Sequence, residues 1–160
     1  MIKAIIFDYY RTLYDPEEGI LLTTENLVRE LQEQGVILAL ITRNESAKRD
    51  ISSNLFFSFF SVVKTVEDDK KEEDFREVMK QINVKDEEIL VVGDRIKKEI
   101  VIGNKIGLKT VWLKKGLYAK ELPETKAEEP WKIIEDLQEI KQFVQGALNN
   151  SIFASNSKRL

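Results

Sequence analysis

The sequence predicts an α/β fold, a three-layer sandwich built on a mainly parallel sheet. Three observations carry that expectation. Short, mostly apolar runs recur within residues 2–7, 36–41, 88–92 and 108–113, and their apolar residues stand together rather than alternating with polar ones. That pattern fits strands buried on both faces. Between the runs lie stretches with a helical 3.6-residue period, and strands separated by helices imply βαβ units and parallel pairing. Finally, 160 residues suit one domain, and a chain of that size buries roughly 70% of its unfolded surface, enough for one sizeable core.

The elements follow in order. Residues 2–7 read as the first strand. Thr23 or Thr24 can N-cap a helix running to about residue 34, with Leu27, Val28 and Leu31 on its apolar face and Gly35 just past its end. Residues 36–41 form a second strand, 46–54 a helix and 61–64 a short strand. Phe75, Val78, Met79 and Ile82 give residues 72–82 a helical period. A strand at 88–92 precedes a helix at 97–106 that Gly107 ends. Strands at 108–113 and 131–134 and a helix at 136–148 complete the pattern. Residues 1–148 are expected to form one core domain, and 149–160, polar and without period, a flexible tail. The rings of Phe56, Phe57, Phe59, Phe60, Trp112 and Trp131 are expected in the core.

Composition removes several chemistries. The chain has no cysteine and no histidine, so disulfides, thiolate or imidazole metal sites and histidine triads are excluded. Any metal must sit on oxygen ligands, which suits Mg²⁺. A net charge of −3 argues against general nucleic-acid binding. The weight of Lys and Glu among the charges is the tilt described for proteins of hot organisms. Without a leader-like segment or an apolar run near 20 residues, the expected location is the cytoplasm, with no membrane partner.

Four groups suited to chemistry fall at strand ends, where open α/β sheets bind ligands. Asp8 follows the first strand, with Tyr10 and Thr12 in the turn beyond it. Thr42 and Arg43 close the second strand. Lys70 or Lys71 precedes the helix at 72–82. Gly93-Asp94-Arg95 follows the fourth strand, with Glu99 five residues after Asp94. Taken singly, each acid could be an ordinary turn residue, Thr42 a helix cap and the lysines part of a solvated charge run. Together they supply what phosphoryl transfer needs: a carboxylate nucleophile, a second carboxylate for Mg²⁺, and a hydroxyl and an ammonium for the phosphate oxygens.

From about residue 2 to 144 the chain resembles the haloacid dehalogenase (HAD) superfamily, Rossmann-like hydrolases that are mostly Mg²⁺-dependent phosphatases. The resemblance is carried by Asp8-x-Tyr10-x-Thr12-Leu13 and by Gly93-Asp94-Arg95 with its acid at Glu99. It implies Asp8 as nucleophile, Thr42 as phosphate ligand with Arg43 beside it, and a lysine as the third motif. Lys70 is preferred, for its distance to Phe75, and Lys71 is the alternative. It also implies a Mg²⁺ site made by Asp8, Asp94 and the backbone carbonyl of Tyr10.

Two departures matter. Tyr10 stands where the phosphatases place an acid/base Asp, and a phenol is a poor base at neutral pH. Losing that group costs on the order of 10² to 10⁴ in rate. The first motif also matches the D-x-Y-G-T-L of 2-haloacid dehalogenases except for Arg11. Only 33 residues separate Asp8 from Thr42 and 27 separate Thr42 from Lys70, too few for a cap domain beside the elements they already contain. A capless core disfavours dehalogenation, which needs an enclosed pocket. The expectation is a Mg²⁺-dependent phosphatase, slowed by Tyr10. The alternative is a non-hydrolytic phosphate- or metal-binding protein or phospho-aspartate switch on the same fold. An open site accepts a phosphate on a large molecule, or is closed by another subunit of a homo-oligomer.

Overall fold

A computed structural model describes residues 1–43 and 53–144. Six strands form one sheet in the order β3-β2-β1-β4-β5-β6, all parallel. They are β1 (Ala4–Phe7), β2 (Ile37–Thr42), β3 (Val62–Thr65), β4 (Ile89–Gly93), β5 (Lys109–Leu113) and β6 (Lys132–Ile134). The helices are α1 (Leu22–Glu33), α2 (Glu72–Ile82), α3 (Val101–Lys105) and α4 (Lys141–Val144).

Strand alternation builds the three layers. Ile5, Phe7, Leu38, Leu40, Leu90 and Val92 point to one face, where Leu27, Val28 and Leu31 of α1 and Ile140 and Val144 near the C-terminal end meet them. Ala4, Ile6, Ala39, Ile41, Ile89 and Val91 point to the other, against Phe75, Val78 and Ile82 of α2. Because both faces are covered, the strands read as unbroken apolar runs. The strand order reverses direction at β1, which pairs with both β2 and β4. In such sheets the crevice opens at that switch point, beyond the strands' carboxyl ends.

Glycine ends two helices as the sequence implies. Gly35 and Gly107 have φ of 83° and 82°. The amide of Val36 reaches the Leu31 carbonyl, and that of Leu108 the Gly103 carbonyl. This closing turn requires a left-handed residue just past the helix.

Several boundaries differ from expectation. Thr23 and Thr24 lie inside the first turn of α1, and Leu21 occupies the cap position without a side-chain hydrogen bond. The helix expected at 97–106 begins as a wide turn at Ile96–Ile100, where the Val101 amide reaches back to the Ile96 carbonyl, and becomes regular only in α3. The final helix starts as a tight turn at Leu137–Ile140 capped by Asp136. Its continuation past residue 144, the tail, and all but the last two residues of the helix expected at 46–54 lie outside the described residues.

Phe56, Phe57, Phe60 and Trp112 are buried as expected, and Phe59 packs half-buried against the same core. Trp131 is a correction: it precedes β6 and is 42% exposed. β6 is a three-residue edge strand, too short to cover the indole. The ring rests instead on Phe143, with the ammonium groups of Lys109 and Lys132 5.2 and 5.4 Å from its centroid.

Candidate active site

Phe7 ends β1 with its ring in the core, so the next side chain, Asp8, turns into the crevice. Its amide stays in the sheet, donating to the Val92 carbonyl at 2.9 Å. One turn on, the Thr12 hydroxyl donates to Asp8 Oδ2 at 3.2 Å. Lys70, just before α2, donates to Asp8 Oδ1 and to Glu99 Oε1, the latter at 2.8 Å. Asp94 follows β4, and its loop is pinned by the Trp112 indole N–H, which donates to the Asp94 carbonyl at 3.0 Å. The wide turn after it carries Glu99 inward. Insertions of this kind in a helix commonly serve to re-aim a side chain at a site.

Asp8, Tyr10, Thr42, Arg43, Lys70 and Asp94 all line one open crevice of about 610 Å³. These residues are therefore brought together with Glu99, Lys70 rather than Lys71 faces the crevice, and Thr12 reaches it through its bond to Asp8. Lys71 sits at the cap position of α2, exposed. Tyr10 stands at the mouth, 38% exposed, its ring stacked on Tyr14 at 5.9 Å. Arg43 is drawn aside to Asp69 at 2.7 Å, an acid that Lys98 also reaches at 2.9 Å. The backbone hydrogen bonds of the 9–14 turn end on the carbonyls of Tyr9 and Tyr14, and none on that of Tyr10.

Sequence reasoning named Arg11 and Arg95 only as members of their motifs and missed Tyr118 and Glu121. Arg11, Arg95 and Tyr118 also line the crevice. The Arg95 guanidinium lies 4.0 Å over the Tyr118 ring. Glu121 accepts from the Ile96 amide at 2.7 Å and from Arg95 at 3.4 Å, fixing the start of the wide turn. Tyr118 and Glu121 come from a stretch of turns without period, and Glu121 lies 25 residues from the Ile96 amide that it holds.

The electrostatics are unbalanced. Asp8, Asp94 and Glu99 are buried and offer oxygens within 4.8 Å of one another. Lys70 is the ammonium bonded to that cluster. Burial pushes the Asp8 carboxyl up to about 6, with Glu99 adding to the shift and Lys70 opposing it. Burial, then the charges of Asp8 and Glu99, push Asp94 up to about 7. Burial disfavours the Lys70 ammonium, yet the two carboxylates beside it together outweigh that and hold it above the usual lysine range. Asp94 Oδ2 and Glu99 Oε2 are buried with no hydrogen-bond partner. Two orphaned carboxylate oxygens in a cluster with excess negative charge are what a hard divalent cation satisfies. The donor set fits Mg²⁺.

Gly93 is required by this packing. A Cβ there would lie 2.8 to 2.9 Å from Cβ, Cγ and Oε2 of Glu99. Gly93→Ala is expected to expel the Glu99 carboxylate, lower stability by about 1–3 kcal/mol as overpacking does, and weaken metal binding. Thermal melts with and without Mg²⁺ check both effects. An unchanged melting temperature with an unchanged metal response would remove the packing argument.

The parallel order and the acidic crevice at its switch point define an α/β protein of the Rossmann-like class. Residues 71–140 match the family described as HAD-hydrolase-like. A curated glyceraldehyde 3-phosphate phosphatase of Pyrococcus furiosus is 28% identical over 129 residues, covering 74% of this chain and 52% of the relative. The chain thus spans about half the length of that relative. The putative HAD-hydrolase YfnB of Bacillus subtilis, solved bound to magnesium, aligns with a TM-score of 0.64 at 26% identity, over 80% of this chain and 58% of the other. The D,D-heptose 1,7-bisphosphate phosphatase of B. bronchiseptica, complexed with magnesium and phosphate, shares the fold with a TM-score of 0.73 at 18% identity, over 91% and 100%. The family match, the curated relative and the magnesium-bound structure all make the chain similar to HAD-like hydrolases. No helix among the described residues is long and apolar enough to cross a membrane.

Proposed function

We propose that the protein is a Mg²⁺-dependent phosphoric monoester hydrolase acting through a phospho-aspartate on Asp8. The observation that carries this reading is a strand-end carboxylate clamped by Thr12 and Lys70 beside two carboxylates with unsatisfied oxygens. Asp8, Asp94 and the Tyr10 carbonyl would hold the ion, with Glu99 supporting it. Once bound, Mg²⁺ neutralises phosphate oxygens and orients the phosphoryl group. Asp8 Oδ attacks phosphorus as the ester P–O bond breaks, and the leaving oxygen takes a proton from the Tyr10 phenol or from solvent water. Lys70 and the Thr42 hydroxyl bind the phosphoryl oxygens as charge develops on them. Water then attacks phosphorus, and Asp8 leaves as a free carboxylate.

Tyr10 bears on the second half. Its phenol stands at the mouth and can donate a proton to a leaving group, but a phenol activates water poorly near neutrality. Slow dephosphorylation follows, and the same feature favours a second reading in which a long-lived phospho-Asp8 acts as a switch. Between β1 and β2 the described chain holds only a turn and α1. That supports an uncapped site open to a phosphate on a large molecule.

Hydrolysis of p-nitrophenyl phosphate with and without Mg²⁺ tests the proposal. The expected result is slow, Mg²⁺-dependent turnover that rises on the order of 10²-fold or more in Tyr10→Asp. Stoichiometric phosphorylation without turnover supports the switch. Metal-independent halide release from a 2-haloacid would overturn both.

A further inference from the structure

Among the described residues, two that are not glycine have left-handed backbone: Asn83 at φ 54° and Arg11 at φ 66°. Asn83 closes α2 and belongs to a residue type that tolerates this conformation. Arginine does not, and strain of this kind persists where the surroundings or the function demand it. Arg11 is also the exception among the cations of the crevice. Lys70 is bonded to Asp8 and Glu99, Arg43 and Lys98 to Asp69, and Arg95 to Glu121. Arg11 has no ion pair or side-chain hydrogen bond among the described residues. Its guanidinium lies 5.2 Å from the centroid of the Tyr10 ring. The acid whose titration Arg11 influences is Asp15, and Asp15 Oδ1 already accepts from the amides of Glu17 and Glu18 at 2.8 and 3.0 Å.

The turn thus holds, at the crevice mouth, a guanidinium with no ion pair among the described residues, three residues from Asp8 and braced by an aromatic face. A guanidinium fork matches carboxylate and phosphate oxygens two at a time. We propose that Arg11 is a specificity residue that binds a second oxyanion on the substrate, a carboxylate or phosphoryl group carried by the leaving group. The substrate class is then phosphate esters with a second anionic group near the ester bond. This deepens the phosphatase reading and rests on it for its kinetic form.

The test pairs 2-phosphoglycolate with ethyl phosphate, which differ by a carboxylate in place of a methyl group. Ethane-1,2-diol bisphosphate serves as the phosphoryl counterpart. The wild type is expected to favour one or both esters that carry a second anionic group by about tenfold or more in kcat/KM, the scale of a charge-assisted bond. Which one it favours separates carboxylate from phosphoryl recognition. Arg11→Gln and Arg11→Gly should bring the ratio to within about twofold of unity, and Arg11→Lys should keep part of it. Glycine suits the backbone at this position, so that variant should fold. A wild-type ratio near one, or a ratio that neither variant changes, overturns the proposal. If the wild type cleaves none of the esters, the phosphatase reading fails and the test passes to binding. Titration calorimetry in Mg²⁺ then compares phosphonoacetate with ethylphosphonate. Tighter binding of phosphonoacetate by the wild type, lost in Arg11→Gln, supports the role of Arg11. Equal binding, or no binding of either, overturns it.

Discussion

Asp8→Asn should abolish phosphate-ester hydrolysis while leaving the fold intact. The asparagine keeps the carboxylate's shape, and its amide oxygen can still accept from Thr12 or Lys70, which now bond Asp8. It has no anionic oxygen to attack phosphorus. Removing a nucleophile leaves only the residual catalysis of the surrounding donors, so kcat is expected to fall on the order of 10⁴-fold or more. Intact-mass measurement after incubation with a phosphoryl donor should show no phosphate adduct on the variant. Activity within tenfold of wild type would mean that another group attacks phosphorus, and the assignment of Asp8 would be withdrawn.

The second large effect concerns Asp94, and it runs against the usual cost of a buried substitution. The Asp94 carboxyl is raised from 3.8 to about 7 by burial and by the charges of Asp8 and Glu99. Its Oδ2 has no partner. An acid whose folded pKa lies above its unfolded value retains a proton that the unfolded chain has released. Between about pH 4 and 7 the metal-free protein therefore loses stability as pH rises, and the loss levels off above that range. Asp8, raised to about 6, acts in the same direction. Asp94→Asn removes the charge at its source. At pH 8 without metal the variant should be more stable than wild type by on the order of a few kcal/mol, and near pH 4 the advantage should fade. Added Mg²⁺ should raise the wild-type melting temperature, as a ligand of the native state does, and leave the variant unmoved. Thermal melts at the two pH values, each with and without Mg²⁺, decide the matter. A lower melting temperature for Asp94→Asn at pH 8 would make this carboxylate a structural anchor instead.

What could be read from the chain and what could not divides along physical lines. Continuous apolar runs located the strands, and the residues that follow a buried strand are placed by the strand itself. Asp8, Thr42 and Asp94 were legible for that reason, and they line one crevice. Lys70 was separable from Lys71 only by its position before α2. The wide turn at Ile96–Ile100 was not legible, because its residues have ordinary helical composition and the extra residue leaves no local mark. Glu121 escaped because a cap supplied from 25 residues away has no periodic signature. Trp131 was misread because an edge strand and a buried strand share the same composition and differ only in their neighbours. The left-handed backbone at Arg11 was announced only indirectly, by the glycine that stands at this position in the motif the chain resembles.

The amide of Asp8 is a rung of the ladder between β1 and β4, bonded to Val92 in the middle of the sheet. Neighbouring strands lie about 4.8 Å apart, so the separation of the carboxylates that follow these two strands starts from backbone hydrogen bonding, with the Trp112 indole holding the Asp94 loop in place. Such a site has no local way to loosen: its geometry persists until the central strands part, and it then disappears at once. Heat or denaturant should therefore leave the arrangement of the crevice intact up to the point at which the chain unfolds.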